Sequence, residues 1–246
     1  MWLGCRCDSG QVSSTPASRH TLTVAEFEQR ATSTVMGSVF IGGALPEPRV
    51  WRARSSDPAC VHSSGEIIAS EEIVVNTNGT LRHVFVYISS SFDSLPFSIP
   101  SEPVILDQRG CRYSPRVFGM RAGQALWILN SDSTMHNVHA APRRNPAFNV
   151  GMTAAANKIT RRFDRPEVMI PLNCNVHPWM SAYAGVLDHP FFAVTNTQGR
   201  FRLGPLPPGD YEITAWHERL GILTQAIRLG ASEERQIDFN FTCEAP

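Results

Sequence analysis

Turn-forming residues cut this chain into short pieces, and that constrains its fold more than any other feature. From Gly37 onward, brief runs rich in Val, Ile, Phe and Trp alternate with Gly, Pro, Asn and Ser clusters. Such punctuation favours many short strands over long helices. The first runs are Ser38 to Ile41, Val50 to Ala53, Glu72 to Val75 and Leu81 to Ile88, with Asn76-Thr77-Asn78-Gly79 as a turn. A second group comprises Val104 to Leu106, Arg116 to Met120, Gln124 to Leu129, Asn137 to Ala140, Lys158 to Phe163, Val168 to Leu172 and Ala182 to Leu187. Its even spacing is the pattern of a Greek-key sandwich or barrel. A third group covers Phe191 to Thr195, Arg200 to Leu203, Tyr211 to Trp216, Leu223 to Leu229 and Gln236 to Phe241. In it, Leu206-Pro207-Pro208-Gly209-Asp210 fits a type II turn.

These groups predict an all-β protein: a Greek-key sandwich plus a second, smaller β-sandwich, with few or no long helices. Residues 1–33, rich in Ser, Thr and Arg, read as a flexible tail with one short helical stretch from Thr23 to Arg30. Residues 34–99 form a β-rich segment, and a Ser/Pro-rich connection from Ser89 to Pro103 leads out of it. Residues 100–188 and 189–246 carry the second and third strand groups.

Charge and composition exclude several functions. The 22 Lys+Arg balance 22 Asp+Glu, which leaves no basic footprint for nucleic acid or an anionic membrane. With 42% hydrophobic and only 18% charged residues, the chain can bury enough apolar surface to fold. No apolar stretch approaches the roughly 18 residues of a spanning helix; the longest weakly polar run, Met36 to Pro46, is broken by glycines. The N-terminus lacks the basic and apolar regions of a signal peptide. Leu3-Gly4-Cys5 matches the tail of a lipoprotein cleavage site, but coincidence or a mis-set start explains a three-residue match better than a working lipidation signal.

The sharpest chemical motif is Cys174-Asn175-Val176-His177-Pro178-Trp179-Met180. A thiolate, an imidazole and a thioether fall within seven residues between two strands. Soft sulfur ligands select Cu(I), imidazole suits both copper oxidation states, and two His, one Cys and a weak axial Met describe an electron-transfer copper site. Zinc fits less well, because structural zinc sites are closed by Cys and His without Met, and the chain has no second Cys-rich pair of suitable spacing. The missing imidazole comes from Met135-His136-Asn137-Val138-His139. On an extended strand His136 and His139 face opposite ways, and alternation alone does not choose between them. His136 lies nearer the preceding loop, and His139 alone reads as a structural histidine.

The segment from about Val104 to Leu187 resembles the cupredoxins, most closely the amicyanin type with a short C-x-x-H-P-aromatic-M loop. RYSPRVFGMRAGQALWILNSDSTMHNVHA follows the family order, which resumes through Ile159 to Phe163 into CNVHPWM. The resemblance implies one type 1 (blue) copper bound by His136, Cys174, His177 and Met180, with Asn137 tying the two ligand loops together. It implies an electron carrier, not an enzyme, in which His177 reaches the surface as the electron port inside an apolar collar of Pro178 and Trp179. The implied partner is a redox protein such as a c-type cytochrome or a membrane electron-transfer complex, in an extracytoplasmic location. One departure is Arg165 to Pro171 before the cysteine, where Pro171 weakens a strand ladder.

A second resemblance lies in TNTQGRFRL followed by LPPGDYEITAW, which is similar to carboxypeptidase regulatory-like or transthyretin-like β-sandwich modules. Two arrangements stand. Either the copper domain is inserted into that sandwich, with residues 34–99 supplying its opening strands, or those residues are a separate β-extension. Cys60 and Cys111 flank the Ser/Pro connection and either bridge the two bodies, as suits an oxidising compartment, or are unrelated thiols. His189 and the pair His217-Glu218 are candidates for a second, carboxylate-containing metal site. Two other classes compete with electron transfer: an envelope-associated structural or binding module with a vestigial copper domain, and a copper enzyme (a copper oxidoreductase) or copper-delivery protein.

Overall fold

The computed structural model describes residues 23–52, 58–64, 67–90, 92, 95–153 and 158–243. Cys5, Cys7 and the Leu3-Gly4-Cys5 motif lie outside them. The described residues are all-β, with two short helices. The chain runs through α1 (Val24–Arg30), β1 (Ser33–Gly43), β2 (Val50–Arg52), α2 (Pro58–Ser64), β3 (Ile67–Ala69) and β4 (Phe85–Ile88). It continues through β5 (Val104–Gln108), β6 (Tyr113–Ser114), β7 (Val117–Arg121), β8 (Ala125–Asn130), β9 (His136–Ala140), β10 (Phe148–Met152), β11 (Ile159–Arg162), β12 (Glu167–Asn173) and β13 (Ser181–Leu187). The last strands are β14 (Phe192–Val194), β15 (Arg200–Leu206), β16 (Gly209–His217), β17 (Gly221–Leu229), β18 (Glu234–Gln236) and β19 (Phe239–Cys243).

Strands β5 to β13 build two sheets, ordered β10-β9-β12-β13-β7 and β11-β8-β5-β6. Both cover one core that includes Leu106, Phe118, Leu126, Ile128, Val138, Phe163, Ile170 and Leu172. The cause is visible in β8, where Leu126, Ile128 and Asn130 are buried and the alternating Ala125, Trp127 and Leu129 are half-exposed. That period of two is what a strand with one covered face requires. Pro171 sits in β12 between β9 and β13 and keeps its carbonyl in use, accepting the Ala141 N–H at 3.1 Å. A register shift between Glu167 and Ile170, with Met169 at a φ of 63°, bends the strand just before it.

The second core uses strands from both sides of that block. β1 pairs antiparallel with β15 and parallel with β18 and β19, while β4 lies between β14 and β16. Val35, Val39, Leu81, Val86, Phe201, Leu203, Ile213, Phe239 and Phe241 are buried among them.

A third cluster joins the two cores, and glycine makes it fit. Gly119 and Gly185 are register partners in the parallel β7–β13 pair. A Cβ on Gly119 would stand 2.2 Å from the Phe192 ring, and one on Gly185 would stand 2.4 Å from Phe85. The two aromatic rings, stacked with centroids 5.7 Å apart, therefore rest directly on bare backbone. Phe85 is fully buried, which stabilises the junction by roughly 1.5–3 kcal/mol.

Two expectations need correction. The tail assigned to residues 1–33 does not extend through Arg30. Thr23 caps α1 with a reciprocal capping box to Glu26, and Phe27 is buried against Phe92, Phe97 and Phe191. The apolar anchor outweighs the polar composition around it. Glu72 to Val75 is not a strand either; only Val75 makes a bridge, to Leu81, because no neighbouring strand runs alongside the other residues.

Candidate metal centre

Sheet register assembles the site. Antiparallel pairing of β9 with β12 sets His139 opposite Asn173 and Ala140 opposite Leu172. The first residue of β9, His136, therefore lies at the same end as the loop that follows β12. That loop, Cys174 to Met180, is folded tightly on itself. The Cys174 N–H donates to the Met180 carbonyl at 3.1 Å, the Met180 N–H to the His177 carbonyl at 2.9 Å, and the His177 N–H to Cys174 Sγ at 3.4 Å.

Three potential ligand atoms converge. His136 Nδ1 lies 2.9 Å from His177 Nδ1, which lies 3.9 Å from Cys174 Sγ. All three residues are buried, and their ligand atoms lie within 4.8 Å of one another. Met180, at the end of the loop, is buried in the same core. His139 is half-buried on the other side of β9.

Asn137 joins the two loops. Its Oδ1 accepts the Asn175 N–H at 2.7 Å and lies 3.3 Å from Cys174 Sγ, while its Nδ2 donates to Asn149 Oδ1 at 2.7 Å. The Tyr113 hydroxyl donates to the Asn137 carbonyl. Burial raises the Cys174 thiol, but hydrogen bonds from His136, His177 and the Asn137 region more than reverse this and hold it at about 5. The sulfur is thus a thiolate at neutral pH, the form that binds metal.

The outer edges of both imidazoles are also engaged. His136 Nε2 lies 2.8 Å from the Asp132 carboxylate, which accepts the Gly110 N–H at 2.7 Å and the Cys111 N–H at 2.8 Å. His177 Nε2 lies 3.6 Å from Cys60 Sγ, and Cys60 is disulfide-bonded to Cys111. Trp179 packs 5.1 Å from the His177 ring, with its indole N–H donating to the Cys111 carbonyl at 2.9 Å.

This arrangement corrects the expectation of an exposed port. His177 is only 2% exposed, and Cys60 Sγ, carried by α2, lies 3.6 Å from its Nε2. Pro178 is exposed, and Trp179 is buried on the disulfide loop instead of forming an open collar. The bridge also joins different parts from those foreseen. Cys60, Ile68 and Trp51 belong to the same core as Cys111, so the disulfide ties the β2–β3 excursion to the metal-centre body.

The second candidate site is not assembled. Among the described residues, the clusters able to hold a metal are His136/Cys174/His177 and Cys111/Asp132/His136. Glu218 instead pairs with Arg116 at 2.6 Å, His189 packs 4.7 Å from Phe92, and His217 packs 6.1 Å from Phe241. Sequence reasoning missed Asp132 and the placement of Cys60. The available signal for Asp132 was its position four residues before His136 in the turn between β8 and β9.

What the fold and site define is an all-β protein with a buried two-histidine, one-cysteine cluster at the end of a β-sandwich. No family model matches the chain, and no curated protein matches it. Solved structures similar to part of it include a Cu-containing nitrite reductase from Thermus scotoductus, at 17% identity and a TM-score of 0.32 over 38% of this chain and 25% of that one. A purple cupredoxin from Nitrosopumilus maritimus matches at 18% identity and a TM-score of 0.29, over 34% of this chain and 98% of the other. An amicyanin variant in its Cu(I) form matches at 17% identity and a TM-score of 0.31, over 41% and 97%. The chain thus spans a quarter of the length of the nitrite reductase.

Proposed function

We propose that this protein is a copper electron carrier in which His136, Cys174, His177 and Met180 would hold one type 1 copper. The observation that carries this reading is the convergence of two imidazole Nδ1 atoms and a thiolate sulfur in a buried pocket. The donor set fits copper: a soft sulfur and two borderline nitrogens suit both oxidation states. Copper there supplies one-electron chemistry. The chain's own residues do the rest. Asn137 fixes the spacing of the two ligand loops, Asp132 orients the His136 ring, and the surrounding core excludes water.

Four protein donors would leave copper no position for substrate, which favours outer-sphere transfer to a redox protein over catalysis. Burial of all the ligands also favours retention over copper delivery. The Cys60–Cys111 disulfide suits an extracytoplasmic, oxidising location. The copper domain, about residues 100–188, is read as an insertion in a second sandwich, since β1 and β4 find their partners among β14 to β19. Adding Cu(II) to the purified protein tests the function. A strong thiolate-to-copper visible band, lost in Cys174→Ser, is the expected result; stoichiometric Cu(II) without that band rejects the reading.

A further inference from the structure

The sheet that leads to the candidate ligands opens at its other end. β12 keeps register with β9 only at Leu172 and Asn173, and the chain leaving β9 then makes one more backbone bond, from the Ala141 N–H to the Pro171 carbonyl. From there to Arg165 the two stretches are held together by side chains. The Glu167 carboxylate accepts the Arg143 N–H at 2.5 Å, the Arg144 N–H at 2.9 Å and the Asn145 amide at 3.1 Å. Asn145 in turn donates to the Arg165 carbonyl and accepts the Arg165 N–H, both at 2.9 Å. The register shift and the φ of 63° at Met169 bend β12 over the same stretch. A cleft of about 700 Å³ results, lined also by Tyr183 of β13 and Trp216 of β16. It therefore lies between the two sandwiches, a common setting for small-molecule sites, and its size falls within the roughly 300–1,000 Å³ typical of them.

The lining combines two chemistries. Tyr183 and Trp216 are half-buried rings with centroids 5.0 Å apart, and Pro171 and Met169 extend the apolar surface beside them. Arg143 and Arg144 are exposed, and among the described residues neither guanidinium pairs with a carboxylate. Glu167, the single acid in the lining, is taken by three N–H donors, so two guanidiniums against one carboxylate leave the cleft with a net positive charge. Arginine's planar fork suits a carboxylate, and aromatic side chains suit a flat ring in offset or edge contact. A bare anion would use only the first group and a neutral ring only the second. We propose that this cleft is a binding site for a small aromatic carboxylate, its ring laid against Trp216 and Tyr183 and its charge met by Arg143 and Arg144. Glu167 is the positioning residue: by capping the N–H groups of both arginines it fixes the turn from which the guanidiniums extend. No metal takes part, so the site stands independently of the copper reading.

Naphthoate titrated into the purified protein, followed by NMR, tests the site. Saturation is expected, with the assigned indole N–H resonance of Trp216 shifting and that of Trp127, in the other sheet, staying in place. Naphthamide keeps the ring and loses the charge, and Arg143→Ala/Arg144→Ala keeps the backbone bonds to Glu167 and loses both guanidiniums. Each is expected to weaken binding at least roughly tenfold. Arg200→Ala, which removes an exposed arginine on β15, is expected to stay within about twofold of the parent. Inorganic phosphate, which offers charge without a ring, is expected to compete at least roughly tenfold more weakly than naphthoate. The site is overturned by a titration that does not saturate below roughly 5 mM, by naphthamide binding as tightly as naphthoate, or by a double variant that matches the parent. Phosphate as tight as naphthoate, or a Trp216 resonance that stays in place, overturns the aromatic part. Should the double variant not fold, the comparison of naphthoate with naphthamide uses the unaltered protein and decides alone.

Discussion

The Asp132 carboxylate and His136 Nε2 lie 2.8 Å apart, so the far side of a buried imidazole faces a carboxylate that also caps two backbone N–H groups of the disulfide loop. This contact orients the His136 ring and turns its Nδ1 toward His177. Residues behind a metal-binding histidine commonly change affinity by about 10- to 100-fold when removed. Asp132→Ala is expected to weaken copper binding in that range in a competition titration against a chelator. An affinity equal to that of the unaltered protein counts against the orienting role.

Acid should weaken the fold through its buried histidines. Burial, the largest cause in each case, lowers both His189 and His217 from 6.5 to about 4. Between those values the unfolded chain binds protons that the folded chain does not. The stabilisation is complete above pH 6.5 and is lost as the pH falls through about 4. Urea midpoints of the metal-free protein should therefore drop between pH 7 and pH 4.5, and the drop should be smaller in His189→Phe. A variant that follows the parent curve throughout would contradict this assignment.

The glycine pair at the junction gives a steric prediction. A methyl group on Gly119 or Gly185 enters the volume of Phe192 or Phe85. Overpacking of this kind typically costs about 1–3 kcal/mol. Gly119→Ala should lower the thermal midpoint, and adding Phe192→Leu should recover part of the loss. If the alanine variant melts with the parent, the rings have room to move and the close packing is not a constraint.

Legibility in the sequence followed the locality of the signal. The strand period of Leu126, Ile128 and Asn130 and the contiguous loop from Cys174 to Met180 are short-range patterns, and each could be read directly. The pairing of His136 with that loop needed one long-range step, supplied by motif order, and the structure sets their Nδ1 atoms 2.9 Å apart. The burial of His177 was not legible. Cys60 carries no periodic pattern around it, and its contact with a residue 117 positions away depends on tertiary packing alone. The exposed port failed for the same reason. Glu72 to Val75 had strand-forming residues without a partner, and Phe27 was hidden in a polar stretch that its single ring anchors.

The ladder of β1 fixes an order of events as the chain is made. Its strand partners are β15, β18 and β19, so Ser33–Gly43 cannot complete its sheet until synthesis has passed Cys243. Every strand of the two sheets around the candidate ligands lies between Val104 and Leu187. Domains generally close as units during synthesis, and long-range pairings close last. The body that carries the candidate ligands can therefore close while β1 holds only its bridge to Gly79, Thr80 and Leu81, before the second core exists.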